Sequence, residues 1–241
     1  MRSTRLLAAL TALLLVLAAC TQATTDTTAA AGDGETTVAG DGEEPTGSLL
    51  DEVAERGTLV CGVNDAVPGF GFVGDDGTFS GFDVEFCKVV AAAVLGDAEA
   101  VDFRPLTAAE RFTALQTGEI DVLIRNTTWT ATRDGTEGAT FLTTTFYDGQ
   151  GLMVRSDSGF ASIDDMGNTD ICVLQGTTTE LNITSLSESR GLGMRNVTFE
   201  DNSALQAAFE AGQCDGWTSD KSQLAAVRSA FPEGPEALTI L

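Results

Sequence analysis

The sequence predicts an α/β protein of two similar lobes, each a mostly parallel sheet covered by helices, with a cleft between them. Three features carry that expectation. From Leu49 onward, strand and helix signals alternate. Each half contains a helix, then Gly-x-x-Asp, then a strand, as Gly118-Glu-Ile-Asp121 and Gly212-Gln-Cys-Asp215. Each half also places a cysteine in its first strand, Cys61 and Cys172.

In the first half, Thr58 to Val63 reads as a strand. Phe86, Val89, Val90, Ala93 and Val94 then recur at helical spacing and give one apolar face. Val101 to Arg104 is a short strand. Thr107-Ala-Ala-Glu110 is a capping-box pattern that opens a helix ending at Gly118, and Glu119 to Ile124 is a further strand. Phe146 to Val154 reads as extended chain joining the halves. The second half repeats the plan with a strand at Asp170–Leu174, a helix at Thr177–Arg190 and a strand at Asn196–Phe199. A helix from about Asn202 to Gly212, a strand at Cys214–Thr218 and a helix at Asp220–Ala230 follow. Ala237 to Leu241 looks like a strand at the end of the second half.

The N-terminus reads as an address. Arg2 and Arg5 precede an apolar run from Leu6 to Ala19 that is too short to span a bilayer comfortably and fits a secretory signal. Leu17-Ala18-Ala19-Cys20 looks like a bacterial lipobox, with Cys20 as the lipidated new N-terminus. Residues 20–48 are acidic and almost free of large apolar side chains, so they read as a disordered tether. The expected place is outside the cell, lipid-anchored on the outer face of the bacterial cytoplasmic membrane, at the cell surface or in a periplasm. The organisation expected is residues 1–19 as lipoprotein signal peptide, 20–48 as tether, 49–148 as lobe 1 and 149–241 as lobe 2.

Composition narrows the function classes. With 13 Lys+Arg against 36 Asp+Glu the net charge is −23, which argues against nucleic acid as a partner. The chain has no histidine, so Ser-His-Asp and Cys-His nucleophiles, imidazole zinc sites and a histidine general base are all excluded. No cofactor or metal is implied. Apart from Cys20 there remain Cys61, Cys87, Cys172 and Cys214, an even number in an exported chain, with three pairings open. The symmetry of the halves favours Cys61–Cys87 and Cys172–Cys214, one disulfide per half.

Ligands of open α/β sheets sit beyond the carboxyl ends of the strands. After strand 119–124 comes Arg125-Asn126-Thr127-Thr128-Trp129-Thr130-Ala131-Thr132-Arg133, which gathers hydroxyls, an amide and two guanidiniums. A free α-carboxylate suits an arginine fork supported by such donors. Asp220, just past the strand ending at Thr218, can receive an α-ammonium from the facing lobe. Gly176-Thr177-Thr178-Thr179 puts hydroxyls at a helix N-terminus, which favours an anion. Each residue also has a plain reading: Thr177 and Asp220 as helix caps, and Arg133 as a solvated charge.

Gly81-Phe82-Asp83-Val84-Glu85-Phe86, followed by Val90, Ala91 and Val94, resembles the signature of the amino-acid (family 3) extracellular solute-binding proteins of ABC importers. Within that family the chain is similar to the general L-amino-acid-binding proteins. The similarity runs through 57–64, 110–118, 125–133, 147–151, 176–182 and 220–226 in the expected order. It implies the two-lobed periplasmic-binding-protein (type II) fold and a monomer that delivers L-amino acids to the membrane subunits of an ABC permease. Carried over position by position, it implies that Arg133 grips the α-carboxylate with help from Asn126, Thr128 and Thr178. Asp220 then takes the α-ammonium, Asn64 lies near the ligand side chain, and Asp83 is structural. The same two disulfides fit the resemblance. Family chains continue past the position matching Leu241, so the resemblance implies a first lobe without its final return. Two rivals are a cyclohexadienyl-type dehydratase on this fold, with Asp65 or Glu180 as proton donor, and a surface lipoprotein that binds no solute.

Overall fold

A computed structural model describes residues 48–241, which lie within one compact unit. The expected signal segment, Cys20 and all of the tether except Ser48 lie outside the described residues. Ser48 opens the first helix, α1 (Leu49–Arg56), through a capping box with Asp51, and Gly57 closes it in the left-handed conformation at φ 69°. There follow β1 (Leu59–Val63), β2 (Ala66–Val67), β3 (Gly71–Val73), β4 (Phe79–Ser80) and α2 (Phe82–Leu95). Next come β5 (Val101–Pro105), α3 (Arg111–Gln116), β6 (Val122–Leu123), α4 (Ala131–Gly135) and β7 (Gln150–Arg155). The remainder is β8 (Asp170–Leu174), α5 (Thr178–Arg190), β9 (Arg195–Phe199), α6 (Asn202–Glu210), β10 (Gly216–Asp220), α7 (Lys221–Ser229) and β11 (Leu238–Ile240).

Two main sheets form the two lobes. The first is parallel, in the order β5-β1-β6, and α2 packs on it. The second runs β11-β7-β10-β8-β9, with β10, β8 and β9 parallel and β7 antiparallel to both its neighbours. Along β8 the side chains alternate as a strand requires. Ile171 and Val173 join Leu152, Val154 and Ile183 on one face, while Cys172 and Leu174 join Phe209, Trp217 and Leu224 on the other. Burial on both faces is what a sheet sandwiched between helices demands.

Cys61 of β1 is bonded to Cys87 of α2, and Cys172 of β8 to Cys214 just before β10. The Cα separations are 6.1 and 5.6 Å, ordinary for disulfides. Each bridge stays inside one lobe. The signature glycine Gly81 has φ 118°, and a Cβ there would collide with the backbone of Phe70.

The structure departs from the sequence reading at several elements. Of the strand expected at 119–124 only Val122–Leu123 pairs. Helix α2 buries Val84, Cys87 and Ala91, while Val89 and Ala93 of the expected apolar face are exposed. The chain between β1 and α2 makes a small antiparallel sheet, β2-β3-β4, that no long periodic pattern announces. Arg111–Gln116 is shorter than the helix expected, although Thr107 and Glu110 form the anticipated capping box. The expected connector Phe146–Val154 contains β7, whose residues Gly151 to Val154 are all buried between β10 and β11. The terminal strand pairs with β7 at the edge of the second sheet, Leu238 opposite Arg155 and Ile240 opposite Met153. Leu238 is buried there, so the apolar core of the second lobe claims it.

Candidate functional site

The carboxyl ends of the parallel strands in the two sheets face a narrow cleft. Arg111, Asn126, Thr128 and Arg133 line it from the first lobe; Leu174, Thr177, Thr178, Thr179, Ser219, Asp220 and Gln223 line it from the second. Of the sequence-predicted residues, six therefore meet at one place: Asn126, Thr128, Arg133, Thr177, Thr178 and Asp220. Asn64 is buried behind Asn126 instead and does not line the cleft.

Arg133 sits on α4, whose N-cap Thr130 accepts from the Arg133 N–H. Its guanidinium donates to the Thr128 carbonyl at 3.0 Å and to the Gly176 carbonyl of the facing lobe at 3.2 Å. Two of the five N–H groups of an arginine are thus committed, which leaves a fork for a carboxylate. Burial lowers its pKa, partly offset by Glu137 and Asp220, but a guanidinium remains a cation at any working pH. Arg111 sends a second N–H to the same Gly176 carbonyl, at 3.2 Å, and its Nε has no partner. Both guanidiniums lie over the Phe112 ring, at 5.1 and 5.4 Å from its centroid.

Asp220 is the N-cap residue of α7, yet its side chain makes no capping bond. Asp148 takes over that duty, since its carboxylate accepts from the backbone N–H and the hydroxyl of Ser222. Asp220 is thereby freed to face the cleft, where Asn126 Nδ2 approaches it at 3.4 Å. Burial raises its pKa, as does the charge of Asp148, while Asn126, Arg111 and Arg133 pull it down. Thr177 does cap α5, accepting from Glu180 N–H and donating to the Leu174 carbonyl, so it aims a helix N-terminus at the cleft. Thr128 and Thr178 bring their hydroxyls within 3.1 Å of each other across the gap.

Arg125 is buried outside the cleft, donating to the Leu106 carbonyl and to Asn126 Oδ1, so it braces the neighbouring asparagine. Sequence reasoning passed over Arg111, Ser219 and Gln223, and named Thr179 only within the run of hydroxyls after Gly176. Arg111 follows a capping box and resembles any charge at the start of a surface helix; only its 1% exposure marks it. Gln223 falls on the buried face of an amphipathic helix, a polar residue among apolar ones, and that misfit is a signal the sequence does hold. Chemically, the cleft joins an anion-holding end, built from two arginines and a helix N-terminus, to a carboxylate that suits a cation.

The family described as bacterial extracellular solute-binding proteins, family 3, matches over residues 59–231. A general L-amino acid-binding periplasmic protein, AapJ of Rhizobium johnstonii, is 44% identical over 193 residues, covering 80% of this chain and 57% of that protein. A glutamate/glutamine/aspartate/asparagine-binding protein, BztA of Rhodobacter capsulatus, is 42% identical over 193 residues, with the same two coverages. Among solved structures, a periplasmic binding protein of an ABC transporter from Brucella ovis with glutathione bound superposes with a TM-score of 0.77 at 45% identity. That superposition covers 81% of this chain and 61% of that one. The chain spans about half the length of the curated relatives it matches.

Proposed function

This chain belongs to the bacterial extracellular solute-binding proteins of family 3, and from that membership we propose that it captures L-amino acids between its lobes for an ABC-type permease. The observation that carries the reading is the pairing of opposite charges from opposite lobes. Arg133, with N–H groups to spare, and Asp220, relieved of capping by Asp148, line one cleft. An α-carboxylate and an α-ammonium on a single carbon would draw the two lobes together. Asn126, Thr128 and Thr178 supply neutral donors and acceptors between them, and Arg111 adds a second cation to the carboxylate end.

In this reading the cleft binds and does not catalyse. Residues 1–19 are the signal peptide, Cys20 carries lipid, 20–48 tether the domain, 49–148 make lobe 1 and 149–241 make lobe 2. The protein works as a monomer outside the cytoplasmic membrane. Calorimetric titration of the protein with a panel of L-amino acids tests the reading, beside Arg133→Ala. Binding should weaken about a hundredfold or more in the variant, because two charge-assisted hydrogen bonds are lost at once. A folded wild-type protein that binds none of the panel would refute it.

A further inference from the structure

Beside the cleft, four carboxamides close a ring. Asn64 Nδ2 donates to Asn126 Oδ1 at 3.2 Å, and Asn126 Nδ2 donates to Gln223 Oε1 at 3.1 Å. Gln223 Nε2 donates to Asn202 Oδ1 at 2.9 Å, and Asn202 Nδ2 returns to Asn64 Oδ1 at 3.4 Å. Two members come from the first lobe, after β1 and β6, and two from the second, on α6 and α7. The bonds Asn126–Gln223 and Asn202–Asn64 therefore cross between lobes. Asn64, Asn202 and Gln223 are buried.

The direction of the ring is fixed by neighbours that can act in only one sense. Asn64 Oδ1 accepts from the backbone N–H groups of Asp65 and Ala66, so its nitrogen must point at Asn126. Asn126 Oδ1 accepts from Arg125, a pure donor, and its nitrogen meets the Asp220 carboxylate, a pure acceptor. Gln223 Oε1 is held further by the Ser219 hydroxyl at 2.9 Å. Being neutral, the ring adds no charge that closure must strip of water. It is complete in one relative placement of the lobes only, and each buried amide left without its partner is penalised.

We propose that Asn64 and Asn202, which do not line the cleft, are positioning residues of the binding site. They complete an interlobe latch that holds Asn126 and Gln223 and, through Asn126, the Asp220 carboxylate in the arrangement that receives the ligand. This rests on the reading of the cleft as a ligand site that opens and shuts. It shifts Asn64 from ligand contact to control of closure.

The sharpest test is Asn202→Asp. The new carboxylate keeps the shape and still accepts from Gln223, but it cannot donate to Asn64 and sets oxygen against oxygen. At the first position of α6 an aspartate also favours the helix, so the fold should survive. Interlobe distances would be read by spin labels at the exposed positions Val89→Cys on α2 and Leu181→Cys on α5, with Cys20→Ser, and without added amino acid. The distribution should move to longer distances, and dissociation of a bound L-amino acid should speed up about tenfold with association little changed. Asn64→Ala and Asn202→Ala combined should cost less than the sum of the two, because they share one bond. Should Asn64→Ala unfold, Gln223→Met with Asn202→Asp takes its place in the cycle. An Asn202→Asp distance distribution identical to wild type overturns the latch. Because that readout needs no ligand, the latch is decided even if no amino acid in the panel binds.

Discussion

The two lobes fill their interiors differently. Among the twelve largest fully buried side chains, the first lobe contributes Arg111, Val63, Val67 and Val84. The second contributes Trp217, Phe209, Met153, Met166, Ile171, Leu205, Leu224 and Val154. Only the first buries charge so deeply, with Arg111, Arg125, Arg133 and Asp83 all below 9% exposure. The difference separates two tasks. The second lobe is a five-stranded apolar platform that presents a helix N-terminus and a carboxylate; the first gives up apolar volume to hold cations in place. A buried guanidinium is costly to desolvate and contributes less to folding than well-packed apolar side chains filling the same volume.

The largest expected effect sharpens that contrast. Trp217→Ala, cutting the centre of the second core, should cost about 4 kcal/mol in denaturant unfolding, whereas Val84→Ala in the first lobe should cost about 2 kcal/mol. Equal losses would mean that the lobes share one core. The disulfides come next. Closing spans of 26 and 42 residues stabilises by about 3.5 and about 4 kcal/mol through chain entropy, so entropy alone slightly favours the second bridge. The thin first core reverses the order in the behaviour we expect. Replacing Cys61 and Cys87 by Ser should raise hydrogen exchange along β1 far more than replacing Cys172 and Cys214 raises it along β8.

A third effect concerns Asp83, whose Oδ2 has no hydrogen-bond partner. Burial raises its pKa from 3.8 to about 6, with Arg125 opposing the rise. The folded state therefore binds more protons than the unfolded one between these values, and stability falls as pH climbs from 3.8 through about 6. The loss is about 3 kcal/mol and is complete above that window. Asp83→Asn should remove the fall and raise the melting temperature at pH 7. A variant with an unchanged pH profile would show that Asp83 is not the group responsible.

Much of this was legible in the residues. The βα rhythm showed because strand and helix spacing is set by local geometry, as at Asp170–Leu174. The buried face of α2 was misjudged, since Val84, Cys87 and Ala91 are buried and Val89 is not. The position of Arg133 and Asp220 after strand ends likewise follows from how parallel sheets present their carboxyl edges. What stayed hidden depends on partners distant in the chain. β7 reads as connector until β10 and β11 flank it, and Asp220 reads as a cap until Asp148 displaces it. The carboxamide ring spans Asn64 to Gln223, and no local pattern could show that four separate amides meet.

Gly176 reaches further than its size suggests. It has φ 74°, its carbonyl receives both Arg111 and Arg133, and a Cβ there would lie 3.2 Å from the Ala109 Cα of the opposite lobe. A side chain at position 176 would press on the main chain of the other lobe, so lobes this close together call for a residue that has none.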